Sequence, residues 1–175
     1  GVIGGDGETC GTAFVIGSLP FNDSGNTSDY GSNYSSADLP SVASNAITNG
    51  TGSASYINGD EVVYSYTPAT SQLITISTTN DNDWIALWAF TGCPFDSIVG
   101  YHTATNGTTR EITNLPVTAG TTYYFVISTW PAPQSTDFTI EIIDATPSCM
   151  FPTNLAASNI TTTTADVAWT AGGTE

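Results

Sequence analysis

Short runs of apolar and β-branched residues, separated by polar turns, recur along most of the chain. In residues 60–68, Val62, Tyr64 and Tyr66 lie two positions apart, as on one face of a strand. Similar runs occupy residues 12–19, 71–78, 84–90, 97–102, 108–113, 121–130 and 136–143. Asn-Gly at 106–107 is typical of a hairpin turn. Roughly seven to nine short strands and no convincing helix predict an all-β fold, an antiparallel β-sandwich or jelly roll.

One strand-like run is apolar on both of its faces. It lies within TNDNDWIALWAFTGC, residues 79–93. Side chains alternate along a strand, so we expect one set to lie between the two sheets, namely Ile85, Leu87 and Ala89. The opposite face carries Trp84 and Trp88. We expect the polar segment 22–53, rich in Asn, Ser, Gly and Asp, to cover these two side chains at least in part.

The charge balance narrows the classes of partner. The 175 residues include 16 acidic residues, one Arg, no Lys and one His, which gives a formal net charge of −15. Such a surface repels phosphate backbones and anionic lipids, so we expect no nucleic-acid binding and no membrane insertion. It remains compatible with cations, neutral sugars and proteins. Abundant Thr, Asn and Ser with few helix formers are typical of an all-β extracellular or cell-surface protein.

The three cysteines point to one disulfide. Cys10, Cys93 and Cys149 have no C-x-x-C spacing, so a zinc site is not expected. In a secreted chain, one bridge and one remaining thiol is the simplest arrangement. We favour Cys10 with Cys93. The alternative is Cys10 with Cys149, which would join the two ends of a sandwich.

Several motifs, in order along the chain, resemble one family. ETCGTAFVI, NGDEVVYSYTP, LITIST, WIALWAFTGC, LPVTAGTTYYFVIS and DFTIEI are similar to segments of bacterial pre-peptidase C-terminal (PPC) domains. The resemblance covers roughly residues 8–143 and implies a β-sandwich of the kind attached to secreted proteases and other exported proteins. The cysteine near the start and the Thr-Gly-Cys motif resemble copies in Bacteroidetes proteins. The polar segment 22–53 departs from the family pattern.

The end of the chain resembles a second family. CMFPTNLAASNITTTTADVAWTAGGTE, residues 149–175, is similar to the opening of a fibronectin type III domain. Pro152, Leu155, Ile160 and Trp169 match its first two strands and its buried tryptophan. We therefore divide the chain into a PPC-like sandwich, 1–145, and a linker with the first strands of an incomplete domain, 146–175. These strands cannot bury Trp169 by themselves.

No local pattern predicts catalysis. The chain has no G-x-S-x-G motif, no Lys and a single His, His102, in a predicted strand. We predict a non-enzyme.

Oxygen-rich turns make calcium the candidate metal. Calcium prefers carboxylate, amide and backbone oxygens on flexible loops. Asp81, Asn82 and Asp83 share one turn, and Asp60 and Glu61 precede a strand. In collagen-binding PPC domains, calcium is held by an acidic N-terminal linker and sandwich loops, and the resemblance implies Asp6 and Glu8 here. The alternative is that these are ordinary turn residues, which cap backbone N–H groups.

Aromatic side chains are the candidate ligand contacts. Trp130 ends a predicted strand and precedes Pro-Ala-Pro, so it lies on a rigid loop where it could stack on a sugar or a peptide. Trp84, Trp88 and Tyr123 complete the candidate set. The alternative for the strand tryptophans is burial beneath segment 22–53.

These observations together predict a secreted, non-catalytic binding or accessory module of a larger modular bacterial protein. The expected partner is a polysaccharide or a protein surface. One alternative is a structural or adhesin repeat of a cell-surface assembly or filament, with copies of the chain packing through residues 150–175. Exposed Val167 and Trp169 in the isolated chain would be required for that packing. Another alternative is a C-terminal processing domain of a secreted protease.

Overall fold

The computed structural model describes residues 6–81, 84–104, 106–131, 135–147 and 153–170. The chain divides into two compact units, Gly1–Ala145 and Thr146–Glu175. The described residues contain four short 3₁₀ helices, which are Cys10–Thr12, Thr27–Asp29, Ser36–Asp38 and Ala54–Ile57. No helix among the described residues has the length and apolar character needed to cross a membrane.

Ten strands of the first unit form two sheets. The strands are β1 (Phe14–Ile16), β2 (Phe21–Asn26), β3 (Val42–Gly50), β4 (Glu61–Tyr66), β5 (Gln72–Asn80), β6 (Ile85–Thr91), β7 (Ser97–Ala104), β8 (Thr109–Val117), β9 (Tyr123–Thr129) and β10 (Asp137–Asp144). One sheet has the order β1-β4-β9-β6-β7-β3, and the other has the order β2-β10-β5-β8. The fold is therefore the all-β sandwich that the sequence predicts.

Two features of the sheets differ from the sequence-based expectation. The edge strands β1 and β3 pair in parallel with β4 and β7, whereas the other pairs in both sheets are antiparallel. The polar segment 22–53 also contains β3 and most of β2. Within β2 only Phe21 is buried, and β3 has no buried residue. Because β2 and β3 bury so few side chains, their sequences show no hydrophobic periodicity. The sequence analysis therefore did not predict these two strands.

The main core lies between the two sheets. It includes Ile74 and Ile76 from β5, which face Leu87 and Ala89 from β6. Ile85 is also fully buried and lies in line with these two positions of β6. The predicted inner face of this strand is confirmed for Leu87 and Ala89.

A second core covers the outer face of the six-stranded sheet. It contains Trp88 and Phe90 from β6 together with Tyr56 and Ile57, which belong to the 3₁₀ helix Ala54–Ile57. Partly buried Tyr34 and Leu39, from the polar segment, and Phe95 pack against it. The indole N–H of Trp88 donates to the Ser128 hydroxyl at 3.0 Å. Trp88 therefore lies on the predicted face, beneath a cover that the polar segment provides in part.

The disulfide joins Cys10 to Cys93, as favoured from the sequence. It connects the first 3₁₀ helix to the turn after β6, across a sequence separation of 83 residues. A crosslink over so long a loop stabilises the fold mainly by restricting the unfolded chain. Cys149 lies outside the described residues.

The second unit is a two-stranded antiparallel hairpin of β11 (Thr153–Ser158) and β12 (Asp166–Thr170). Val167 and Trp169 lie two positions apart on β12, so they share a face, and Trp169 is 60% exposed. Leu155 on β11 is exposed as well. Isolated hairpins of this size are marginal in water, and a large exposed apolar face makes them more so. The fibronectin type III resemblance stays a prediction.

The sequence contains a single Arg or Lys residue, Arg110, and its side chain is buried. Its guanidinium donates to the backbone carbonyls of Ala104 (3.0 Å), Gly107 (2.8 Å) and Thr109 (2.9 Å) in and around the β7–β8 turn. It also donates to the carbonyl of Ile85 on β6 at 3.2 Å. Charge-assisted hydrogen bonds of this kind hold the turn against the six-stranded sheet.

The burial of Arg110 predicts resistance to trypsin. Trypsin cleaves after Lys or Arg, and the only such bond, Arg110–Glu111, lies in β8 with its side chain buried. We expect the native chain to remain intact and the reduced, unfolded chain to give two fragments, 1–110 and 111–175. Mass spectrometry after timed digestion measures both. Chymotrypsin, which can attack at exposed Trp169, is the control. Rapid tryptic cleavage of the native chain would contradict the buried position of Arg110.

Candidate functional site

Described residues of two loops meet at one end of the sandwich. Asp81 and Trp84 belong to the loop between β5 and β6, and Trp130 and Thr136 belong to the loop between β9 and β10. The backbone N–H of Trp130 donates to the carbonyl of Trp84 at 3.0 Å, and that of Asp81 donates to the carbonyl of Asp137 at 3.2 Å. These bonds fix the positions of the two tryptophans relative to the sheets.

Three aromatic rings meet at this end, and we call Tyr56, Trp84 and Trp130 the aromatic corner. The Trp84 and Trp130 rings pack edge to face at a centroid distance of 5.4 Å. Trp130 also meets Tyr56 edge to face at 5.1 Å, while the Tyr56 and Trp84 planes are nearly parallel at 6.5 Å. Edge-to-face pairs at such distances are favourable arrangements of aromatic rings. The corner is therefore a rigid unit.

The corner spans the boundary between core and solvent. Tyr56 is buried in the second core, Trp130 is half-buried, and Trp84 is 40% exposed. Burial raises the pKa of the Tyr56 phenol, and its hydroxyl has no hydrogen-bond partner among the described residues. Trp84 thus presents part of a fixed indole ring to solvent. Such a surface can stack on a sugar ring, an apolar side chain or a cation.

Two of the four predicted contact residues lie inside the protein instead. Trp88 is 1% exposed in the second core. Tyr123 belongs to the core between the sheets, where its hydroxyl accepts the backbone N–H of Thr118 at 3.0 Å. Little of either residue is exposed, although Tyr123 also lines a small cavity beside Asn45 and Leu115. Trp84 and Trp130 remain as candidate contacts.

The predicted calcium ligands have local structural partners. One carboxylate oxygen of Asp81 accepts the Thr136 hydroxyl at 2.7 Å and the Asp137 N–H at 2.9 Å, so it ties the two loops together. Asp6 accepts the N–H of exposed Glu8, and hydrogen bonding, chiefly by Thr12, lowers the pKa of Asp6. Asn82 and Asp83 lie outside the described residues.

Calcium itself stays a prediction. Within the described ranges, no three His, Cys, Asp or Glu side chains are grouped in a way that could hold a metal ion.

Glu61 lies in the interior, which its sequence position beside Asp60 does not suggest. One carboxyl oxygen accepts the backbone N–H groups of Asn33 and Tyr34, while its own N–H donates to the carbonyl of Gly31 at 3.0 Å. The other carboxyl oxygen is buried without a partner in the described part of the chain. Burial raises the pKa of Glu61 to about 8. Glu61 therefore holds the polar segment to β4 as a largely neutral acid.

His102 links β7 of the six-stranded sheet to β8 of the four-stranded sheet. Its Nδ1 accepts the backbone N–H of Glu111 at 2.9 Å. Burial lowers the pKa of the imidazole. The structure places His102 half-buried on β7, an inner strand of its sheet, in a structural contact.

Comparisons with known proteins find similarity among solved structures. No family model matches the chain, and no curated protein matches it. Among solved structures, the chain is similar to the pre-peptidase C-terminal domain of a collagenase from Bacillus anthracis, with 16% sequence identity and a TM-score of 0.46. The similarity covers 73% of this chain and 91% of that chain. Membership of the PPC family stays a prediction, which the sequence motifs carry.

Glu61 generates a prediction about pH. Folding raises the pKa of its carboxyl from 4.5 to about 8. The contribution of the neutral carboxyl to stability is therefore fully present at pH values below the pKa of the unfolded state. It is lost as the pH rises through the pKa of the folded state. Glu61→Gln keeps the acceptor oxygen and removes the ionisation. We expect the melting temperature of the variant to rise relative to the wild type between about pH 5 and about pH 9.

Glu141→Gln is the matched control, because Glu141 is exposed on β10. Thermal melts across the pH range, followed by circular dichroism, measure both variants. If the difference in melting temperature between Glu61→Gln and wild type does not change with pH, Glu61 is not a buried neutral acid.

Proposed function

We propose that the first unit is a non-catalytic binding module of a larger secreted protein, and that it contacts a carbohydrate or a protein surface through Trp84 and Trp130. The observation that supports this most is the exposure of Trp84 where it packs against half-buried Trp130 and buried Tyr56. A rigid aromatic at a loop rim offers contact area at little cost in conformational entropy. Aromatic anchors of this kind dominate the energetics of many interfaces.

Several properties support export and the absence of catalysis. The Cys10–Cys93 disulfide is typical of oxidising, extracytoplasmic compartments. The sequence has no Lys, its single Arg serves as a buried structural donor, and its single His accepts a backbone hydrogen bond. These side chains are therefore engaged in the fold, and the proposal assigns the unit a binding role.

Substitution of the exposed ring tests the proposal. We expect Trp84→Ala to weaken binding to a soluble glycan array or a panel of extracellular matrix proteins about tenfold, near 1.4 kcal/mol. Trp169→Ala removes an equally large exposed ring from the second unit and should leave binding unchanged. The proposal fails if Trp84→Ala binds as tightly as wild type, provided that both proteins melt at similar temperatures.

Calcium extends the proposal to the acidic turns. Asp81 and Asp83, with Asp6 and Glu8 next, are the candidate ligands. Repeating the binding and melting measurements with EDTA and with added calcium tests this. A site filled at 100 times its dissociation constant adds about 2.7 kcal/mol to stability. An unchanged melting temperature would leave Asp81 and Asp6 with their local hydrogen bonds alone.

The hairpin favours a second candidate, in which copies of the chain assemble. Val167 and Trp169 are exposed in the isolated chain, as packing in trans requires, and both strands offer edges for pairing. We expect concentration-dependent association by sedimentation velocity, and its loss in Trp169→Thr. Trp84→Thr is the matched control and should associate like wild type. If the chain sediments as a monomer at all concentrations, the adhesin interpretation is wrong for this chain.

A further inference from the structure

The edges of the two sheets differ in how they are protected from pairing with another chain. Among the described strands of the first unit, β1 and β3 end the six-stranded sheet, and β2 and β8 end the four-stranded sheet. Natural proteins discourage pairing at such edges with short strands, charged side chains or proline. β1 has only 3 residues, β2 carries Asp23, and β8 carries Glu111 and Pro116.

The edge strand β3 has none of these three protections. No charged residue occurs between Asp38 and Asp60, and this stretch contains the whole of β3. A bulge shifts the register in its first half, and residues 47–50 then pair regularly in parallel with β7. The other backbone edge of residues 47–50 has no strand beside it in the described part of the chain. In a chain with a formal net charge of −15, a second copy meets less repulsion at this uncharged edge than at a charged one.

A cleft of about 180 Å³ lies beside β3, between β3 and the end of the four-stranded sheet. Its lining includes Asn45 on β3, Val99 on β7, and Leu115 and Pro116 on β8, so part of its wall is apolar. Asn45 and Pro116 are exposed, so the cleft is at the surface. When a strand is added to a sheet edge, main-chain hydrogen bonds supply affinity and pockets for side chains supply specificity. β3 and this cleft offer both.

The hairpin of β11 and β12 has the complementary features. Each of its strands has an unpaired edge among the described residues. Residues 145–165 carry no charge, and the carboxylate of Asp166 accepts the side-chain amide of Asn159 at 2.8 Å. Leu155 and Val167 are exposed aliphatic side chains, which suit a partly apolar cleft. A two-stranded hairpin is marginal in water and gains stability when further strands join it.

We infer that the hairpin of one copy adds to the β3 edge of another copy and places an aliphatic side chain in the cleft beside that edge. This inference rests on the proposed assembly of copies, because it names the surface that the exposed hairpin contacts. Donor and acceptor are different surfaces, so the contact is head-to-tail. Each pair of copies retains one free hairpin and one free β3 edge, and such contacts build open chains unless their rotation closes a ring.

Lysine at the acceptor edge tests the inference in the full chain. Asn45→Lys puts a charged side chain beside the cleft, and we expect the apparent dissociation constant for association, measured by analytical ultracentrifugation, to rise about tenfold or more. The substitution lowers the negative charge, so charge repulsion alone predicts tighter association. Asn22→Lys is the matched control, because Asn22 is exposed on the edge strand β2 and the charge changes equally. It should associate like wild type.

A mixture of two blocked variants tests the head-to-tail arrangement. Asn45→Lys keeps the hairpin, and Trp169→Thr keeps the β3 edge. Each variant alone should sediment as a monomer at concentrations where wild type associates. Their equimolar mixture should form a dimer with one copy of each variant and nothing larger, because only one intact contact is possible. In that dimer, hydrogen exchange of backbone amides within residues 47–50 of Trp169→Thr should slow, since strand addition pairs them.

The outcomes distinguish failure of the inference from failure of the proposed assembly. If Asn45→Lys associates like wild type, the hairpin contacts another surface, so the inference is overturned and the assembly stands. If the two variants are monomeric alone and remain so when mixed, the inference is also overturned. If wild type is monomeric at all concentrations, both fail. Melting temperatures establish that each variant is folded, and Thr48→Lys, on the regular part of β3, replaces Asn45→Lys if that variant unfolds.

Discussion

The six-stranded sheet is apolar on both of its faces, and much of the structure follows from the need to exclude water from each of them. All six residues of β4 and the first six of β6 are buried. The four-stranded sheet covers one face. The other face, with Trp88 and Phe90, is covered by chain segments that contain little regular structure. Burying a large aromatic side chain stabilises a fold by about 1.5–3 kcal/mol, so this second core is a substantial part of the free energy of folding.

A cover made from a polar segment has to be held in place by specific contacts. Glu61 accepts two backbone N–H groups from it, and the Tyr34 hydroxyl accepts the N–H of Cys10 at 2.6 Å. The disulfide then ties Cys10 to Cys93, beside Phe95, which stacks on Phe90 at a centroid distance of 4.0 Å. The buried acid is thus part of the same attachment, and its protonation follows from the low polarity that the cover creates.

The candidate site is the rim of this second core. Tyr56 enters it from the cover, Trp130 from the end of β9 and Trp84 from the start of β6, so three separate segments fix one exposed ring. A surface built in this way is rigid, because its inner members are core residues. The hairpin of the second unit differs: its exposed Val167 and Trp169 lie on a two-stranded sheet without a core of its own. The aromatic corner is therefore expected to bind a ligand, whereas the hairpin is expected to pair with another copy of the chain.

Local sequence patterns alone determined the all-β class, the strands from β4 to β10 and the inner face of β6, because alternation of side chains along a strand is a local property. They favoured the Cys10–Cys93 bridge without excluding its alternative. The edge strands β2 and β3 were missed, since they bury almost nothing. The parallel pairing of β1 and β3, the burial of Glu61 and the different fates of Trp88 and Trp84 were decided only by the tertiary structure. Trp88 and Trp84 share one face of the same run, and the local pattern treats them alike. Which one is covered depends on where Tyr56 and the polar segment pack, and contacts between residues so distant in sequence leave no local pattern.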